Sequence, residues 1–391
     1  MIATLYCQNE GVTMAELQLN SLIIQNFRGF ENFQINQLGR VNLIVGKNNI
    51  GKTSLLEAIW LYANRGSSVT IYDILKDRDE HRVFNLNPTT EQTQQEILAI
   101  KNLFYQRNDF TDQTQTLQIG NTRENYLQLQ ARWYQVEMDD HDNLTPKPIK
   151  YADLDFSDEP FFGVEVVMYR NGKSAQKIRK YPIYRQNPTQ NWNEIVCNFI
   201  TSNFVHRYQL SKWRDTTLIE GLENYALEAL QIIEPSIEAI NMITVEEKVT
   251  TDFSISSRLV PIPVVRMVGA TKFIPLRSLG DGLNRMLILI LAMVNAKDGF
   301  VLIDEIENGL HYSIYPNVWK LIFKLAETLN VQVFATTHSK ECLNAFNKTN
   351  KDQAAQSGRL IRLGRKKGNI VATEYNQKDM QVILERDIEV R

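Results

Sequence analysis

The sequence predicts an α/β fold whose mixed sheet is split by a long α+β insertion, and three observations carry that prediction. A short apolar strand, Arg40 to Val45, runs straight into a glycine-bracketed loop and then an apolar-periodic helix. A second apolar strand, Phe300 to Ile303, ends in two adjacent carboxylates, Asp304 and Glu305. From Leu279 to Glu341, helix, strand, helix, strand and helix patterns alternate, as parallel strands with helical crossovers require.

Composition agrees with a folded, soluble chain. The 391 residues suggest two or three lobes at about 150 residues each, and 43% hydrophobic content is ample for a sizeable core. Lys and Arg total 43 against 45 Asp and Glu, a net charge of −2, which excludes binding driven by overall basicity. Cys7, Cys197 and Cys342 are far apart and form neither a zinc pattern nor a disulfide framework, so a reducing cytoplasm is the expected location. The longest strongly apolar run, Met286 to Val294, is nine residues, where a membrane span needs about twenty. No membrane partner is expected. The start of the chain lacks a basic, then apolar, signal-peptide pattern. Residues 1–13 read as an extension ahead of Met14 and the first strand.

Along the chain, Leu17 to Ile24 and NFRGFENFQI form strand patterns about a glycine-containing turn. Thr90 to Phe104 has helical spacing, Gln115 to Glu137 reads as strands, and Glu137 to Glu159 as an acidic loop. Phe161 to Arg185 reads as a hairpin about Asn171-Gly172, a two-residue turn signal. Asn191 to Ala239 is helical in period with Pro235 as a break, and strands return from Val249 to Arg277. The expected division is a core begun by residues 14–75, an inserted lobe at 76–248, and a core completed by 249–391.

Gly46-Lys47-Asn48-Asn49-Ile50-Gly51-Lys52-Thr53 matches G-x-x-x-x-G-K-[ST] at every fixed position, between strand and helix. Such a P-loop turns backbone N–H groups inward on a phosphate, with the helix N-terminus adding its partial positive charge. These residues and Ser54 are the candidate nucleotide-binding set. Lys52 is expected on the β- and γ-phosphates and the Thr53 hydroxyl on Mg²⁺. Asp304 is the second candidate metal ligand, and Glu305 the candidate base that polarises the attacking water. Ser278, Gly280, Asp281 and Gly282 open an apolar helix and make a second anion cradle. The chain's own loop already holds the phosphate, so this cradle is expected to serve a nucleotide on a neighbouring copy. His338 ends the strand Val331 to Ala335 on the same sheet edge as Asp304, within reach of the γ-phosphate.

LIIQNFRGF, GKNNIGKTSLLEAI, LRSLGDGLNRML, FVLIDEIENGLH and VFATTHS together resemble the ABC-type ATPase heads of the SMC/RecF group. They resemble most closely the stand-alone AAA-type ATPases grouped with the OLD (overcoming lysogenization defect) proteins. The resemblance implies an ABC/SMC-head-like P-loop NTPase with GKNNIGKT as Walker A, SLGDG as signature loop and VLIDE as Walker B. Glu307 to His311 match the D-loop, and His338 the switch histidine. Arg28 falls where such heads carry an arginine near the nucleotide; an exposed hairpin arginine is the alternative. The signature departs from the LSGGQ of transporter ATPases. Gln92, Gln94 and Gln95 all remain open as the Q-loop glutamine, and no heptad-bearing arm is present.

The resemblance further implies a homodimer or higher homo-oligomer, with each ATP held between Walker A of one head and the signature loop of the other. OLD proteins carry a C-terminal Toprim nuclease. Here about 45 residues follow Phe346, so any such nuclease is expected as a separate effector protein. The expected function is an ATP-hydrolysing switch acting on that effector in antiphage defence or DNA maintenance, with a DNA-binding repair clamp as the alternative. DNA contact would fall to Arg170, Lys173, Lys177, Arg179, Lys180 and Arg185, interleaved with tyrosines; lysines that merely guard an edge strand give the same pattern.

Overall fold

The computed structural model describes residues 17–80, 99–107, 115–138, 144–150, 153, 161–180, 195–201, 213, 217, 223–251, 254–353 and 357–386. Residues 1–13, Gln92, Gln94, Gln95, Arg185 and most of the acidic Glu137 to Glu159 stretch lie outside them.

β1 (Leu22–Phe27) and β2 (Phe30–Ile35) form a hairpin, and β3 (Val41–Val45) leads through the loop to α1 (Lys52–Ala63) and α2 (Ser68–Lys76). Five strands follow: β4 (Gln115–Gly120), β5 (Tyr126–Met138), β6 (Leu144–Ile149), β7 (Phe161–Arg170) and β8 (Lys173–Lys180). β9 (Cys197–Ile200) and α3 (Glu223–Gln231) precede a long meander of β10 (Ile237–Thr251), β11 (Ser254–Met267) and β12 (Ile274–Pro275). The chain then alternates through α4 (Asp281–Val294), β13 (Phe300–Ile303), α5 (Tyr315–Thr328), β14 (Gln332–Thr336) and α6 (Lys340–Asn350). The hairpin of β15 (Gly358–Lys366) and β16 (Asn369–Tyr375) and α7 (Gln377–Glu385) close it.

Two sheets carry the site. One runs β16-β15-β3-β14-β13-β9, parallel except for β16. The other is antiparallel, in the order β2-β1-β4-β5-β7-β8, with β6 beside β5. The central strands β3, β14 and β13 are buried along their whole length and mostly apolar because both faces are covered. Their pleat sends Val41, Leu43, Val301 and Val333 into one core with α4, α5 and α6. Ile44, Leu302 and Phe334 enter a second core with α1 and the antiparallel sheet. α1 is therefore buried on nearly every side, including Leu55, Leu56, Ile59 and Leu61.

The Asn171-Gly172 hairpin forms as expected. Both residues have positive φ, 50° and 70°, and Arg170 pairs with Lys173 across the turn. Within Glu137 to Glu159, read as a loop, Leu144–Ile149 is instead a strand paired with β5. Within the stretch of helical period from Asn191 to Ala239, Cys197 to Ile200 is a strand, because Phe300 to Ile303 offers it a parallel edge. β4 adds directly to β1, Ile23 opposite Gly120, and β9 adds to the nucleotide-bearing sheet, so residues 76–248 contribute strands to both sheets. Among the described residues, no helix is long and apolar enough to cross a membrane.

The α5–α6 packing offers a direct stability test. Trp319 is 1% exposed, its ring lies 4.9 Å from that of Phe346, and its Nε1 donates to the Cys342 carbonyl at 3.2 Å. Trp319→Ala is expected to lose about 3–5 kcal/mol, read as a lower urea midpoint with an unchanged slope.

Candidate functional site

The strands of the parallel sheet end level with one another: Ile44 of β3 pairs with Thr336 of β14, and Ala335 with Ile303 of β13. The loops leaving these three strands consequently open on one edge. A cleft of about 750 Å³ lies there. It is lined by Asn48, Asn49, Gly51, Lys52, Thr53, Ser54, Asp304, Glu305 and His338, all expected from sequence, and also by Arg78 and Glu307.

The loop's shape follows from its glycines. Gly46 has φ +149°, and a Cβ there would stand 2.8 Å from the Leu363 carbonyl oxygen of β15. Any side chain would push that strand aside. Gly51, at φ +108°, turns the chain into α1, whose first N–H groups have no partner within the helix and suit an anion. Lys52 is buried, and its Nζ donates to the Gly46 carbonyl at 2.8 Å and the Lys47 carbonyl at 3.2 Å, with His338 Nδ1 at 3.4 Å. Burial draws its pKa below the usual lysine range, against the opposing pull of Asp304, Glu305 and Glu307. The backbone of Ile50 belongs to the loop while its side chain packs into the core.

The acidic side is held with comparable care. The Thr53 hydroxyl donates to Asp304 Oδ2 at 2.9 Å. The Thr336 hydroxyl donates to Asp304 Oδ1 at 2.6 Å and accepts from the Glu305 N–H at 2.8 Å. Glu305 itself has φ +50°, a conformation that costs a non-glycine residue roughly 1–3 kcal/mol and persists only where its surroundings impose it. Arg285 of α4 helps to impose it, donating to the carbonyls of Asp304 at 2.9 Å, Glu305 at 3.4 Å and Thr201 at 3.1 Å. The Glu305 carboxylate lies 3.7 Å from His338 Nε2, and the His338 N–H donates to Glu307 Oε1 at 2.6 Å. A phosphate cradle, a lysine, paired oxygen donors suited to a hard cation and an accessible carboxylate thus meet in one cleft. That set of groups can bind and hydrolyse a nucleoside triphosphate.

Arg28, expected near the nucleotide, does not line this cleft. It is buried, its Nε lies 2.8 Å from Glu57 Oε2, and its Nη1 lies 3.1 Å from Glu80 Oε2. Desolvation lowers its pKa, and Glu57 and Glu80 pull it back. The cleft arginine is instead Arg78, whose Nε donates to Glu57 Oε1 at 2.7 Å and Nη2 to Ser54 Oγ at 3.1 Å. One buried carboxylate on α1 therefore joins the two arginines. Glu307 and Thr336 lie within the FVLIDEIENGLH and VFATTHS motifs, whereas Arg78 has no sequence pattern to announce it. Arg285 has one, since it is the single cation within the largely apolar helix DGLNRMLILILAMV.

Ser278, Gly280, Asp281 and Gly282 do not line the cleft of their own chain. The Ser278 hydroxyl donates to the Pro275 carbonyl at 2.6 Å, and around Gly280 there is open space. Gly282 packs so closely on the turn after β13 that a Cβ would stand 2.9 Å from the Gly309 carbonyl oxygen.

Comparison with known proteins gives a family and several similar chains. A family model described as AAA ATPase domain matches residues 18–343. An ATP/GTP phosphatase of Helicobacter pylori is 23% identical over 400 residues, covering 94% of this chain and 98% of that protein. The DNA replication and repair protein RecF of Rickettsia canadensis is 39% identical over 70 residues, 17% of this chain and 19% of RecF. Among solved structures, an SMC head bound to the C-winged helix domain of ScpA aligns with a TM-score of 0.46 at 13% identity. That alignment covers 93% of this chain and 99% of that one.

Arg28→Ala tests whether this arginine serves the buried ion pair or the nucleotide. Removing the partner of a buried carboxylate costs about 3–5 kcal/mol, so urea denaturation is expected to show a large loss of stability. The KM for ATP is expected to stay within about twofold. A large rise in KM at unchanged stability would return Arg28 to the nucleotide.

Proposed function

Because the chain belongs to the AAA ATPase domain family, we propose that this ATPase works as a switch, closing face to face on a second copy of itself and controlling a separate effector protein. The observation that carries the hydrolytic reading is the contact of Thr53 with Asp304, which brings the end of the phosphate loop and the acidic strand to one point. Both are oxygen donors of the kind Mg²⁺ prefers, so these two residues would hold the ion. When bound, Mg²⁺ would neutralise charge on the β- and γ-phosphates.

In this reading Lys52 leaves the loop carbonyls for the phosphates, and the backbone N–H groups of residues 48 to 53 wrap them. Glu305 orients a water and accepts its proton. His338, 3.7 Å away, positions Glu305 and contacts the γ-phosphate. Arg78 is free to turn into the cleft because Glu57 keeps Arg28 as its second cation. Arg285 and Thr336 act through Glu305, by fixing its backbone.

Closure on a second copy is supported by the Ser278 to Gly282 loop, which is exposed, uncrowded at Gly280, and offers the start of a 14-residue helix. That start suits a phosphate that its own chain holds elsewhere. A separate effector, of Toprim nuclease type, and a role in antiphage defence rest on the likeness of the motifs to the OLD group. The local match to RecF supports a second reading, a clamp on DNA in repair. ATP-strengthened, salt-dependent binding to duplex DNA would favour the clamp.

Glu305→Gln is expected to lower kcat by about 10²–10⁴-fold while ATP binding, read by equilibrium dialysis, is retained; unchanged turnover would overturn the assignment. Sedimentation velocity of that variant with ATP and Mg²⁺ is expected to show a dimer. Adding Ser278→Arg should return it to a monomer that still binds ATP, whereas a persisting dimer would place the interface elsewhere.

A further inference from the structure

A second hollow, of about 310 Å³, lies on the face of the antiparallel sheet turned away from α1. Strand alternation assigns its walls. Leu127, Leu129 and Ala131 of β5 point into the core, so Tyr126 and Gln128 point outward. Tyr126 lies opposite Tyr169 of β7, Gln118 of β4 opposite Gln128, and Gln25 of β1 opposite Gln118. The outer face therefore carries a row of amides beside an aromatic pair. Ile23, Gly120, Thr122 and Arg123 complete the lining.

These groups have a shared chemistry. The rings of Tyr126 and Tyr169 stack at 4.6 Å with 13° between their planes, giving a rigid aromatic wall. Gln118 Nε2 donates to Gln128 Oε1 at 3.1 Å, which leaves the Gln118 carbonyl oxygen for a donor in the hollow. Gln25 adds a second amide. A planar heteroaromatic ring with donors and acceptors on its edge suits such a wall and such amides. The hollow's volume is at the small end for ligand sites, about right for one base.

Cations stand around it. Arg123 is exposed at the rim, and the β7–β8 turn next to Tyr169 presents Arg170 and Lys173, also exposed. That turn is tied to the β4–β5 turn: the Gly172 N–H donates to the Glu124 carbonyl at 3.0 Å, and the Asn171 N–H to Asn125 Oδ1 at 2.9 Å. Three positive side chains and one exposed acid, Glu124, thus share one end of the sheet. Positive charge continuing past a one-base hollow matches a ligand with several phosphates.

We propose that this end of the antiparallel sheet binds single-stranded nucleic acid, with one base stacked on Tyr126, its edge on Gln118 and Gln25, and the backbone on Arg123, Arg170 and Lys173. The site is separate from the ATP cleft and requires no nucleotide, so its test does not depend on the proposed switch. The duplex is disfavoured because its bases are already stacked and their edges are not free to enter the hollow.

The test is fluorescence anisotropy of the full chain, without ATP, with a labelled 12-nucleotide mixed-sequence strand lacking a 5′-phosphate and with its duplex. The strand is expected to bind at least about tenfold more tightly than the duplex. Tyr126→Ala should weaken strand binding by about tenfold or more, Tyr126→Phe should retain it, and thermal melting monitors folding of both. Arg123→Ala should lower the slope of log affinity against log salt by about 0.7. Absent strand binding, equal duplex binding, or a folded Tyr126→Ala with full affinity would each overturn the proposal. So would competition by thymidine monophosphate at the strand's own concentration range, which would mark a free-nucleotide site.

Discussion

The parallel pairing of β3, β14 and β13 is the constraint on which the site depends. Each strand contributes a different chemical element at its C-terminal end: the phosphate loop, the residues leading to His338, or the Asp304-Glu305 pair. A one-residue slip in either pairing would move these ends apart by about 3.3 Å and would turn every side chain to the opposite face. Register is protected because both faces are buried, so a slip would exchange the contents of two different cores. Precision at the edge thus comes from apolar packing deep in the sheet.

A second layer of control comes from α1 and the charges around it. Glu57 lies on this helix one turn beyond Lys52 and is drawn toward protonation by burial, with Arg28 and Arg78 pulling the other way. Arg28 in turn reaches Glu80, which also holds Arg107. The β1–β2 turn, the phosphate-loop helix and the segment after α2 are thereby tied through one charge network. Its most exposed link to α1 is Arg78, the one that faces the cleft.

Much of this was legible in the sequence, for local reasons. GKNNIGKT carries its own geometry in its glycines, and the four apolar residues before Asp304 announce a buried strand. The positions that escaped depend on distant partners. Cys197 to Ile200 is too short an apolar run to distinguish strand from helix, and the edge of β13 decides it. β4 follows β2 by many residues yet pairs with β1, an association that periodicity does not encode. NFRGF puts Arg28 in a hairpin turn, and only the folded arrangement of Glu57 and Glu80 sends it inward. The Ser278 to Gly282 loop was readable as a cradle, while its distance from its own chain's cleft is a property of the fold alone.

The place of β3 has a consequence for biosynthesis. This strand is made well before β14 and β15, between which it lies. At about 5–20 residues per second, the phosphate loop's strand waits on the order of tens of seconds for its neighbours to emerge. Throughout that interval it presents an apolar backbone edge that other nascent chains can pair with. The N-terminal hairpin, α1, α2 and β4 to β8 share one core and are all made earlier, which makes the antiparallel sheet with these helices the natural first body to form. The ATP cleft can then form only after β13 and β14 have been made, and nucleotide can select only chains that already contain them.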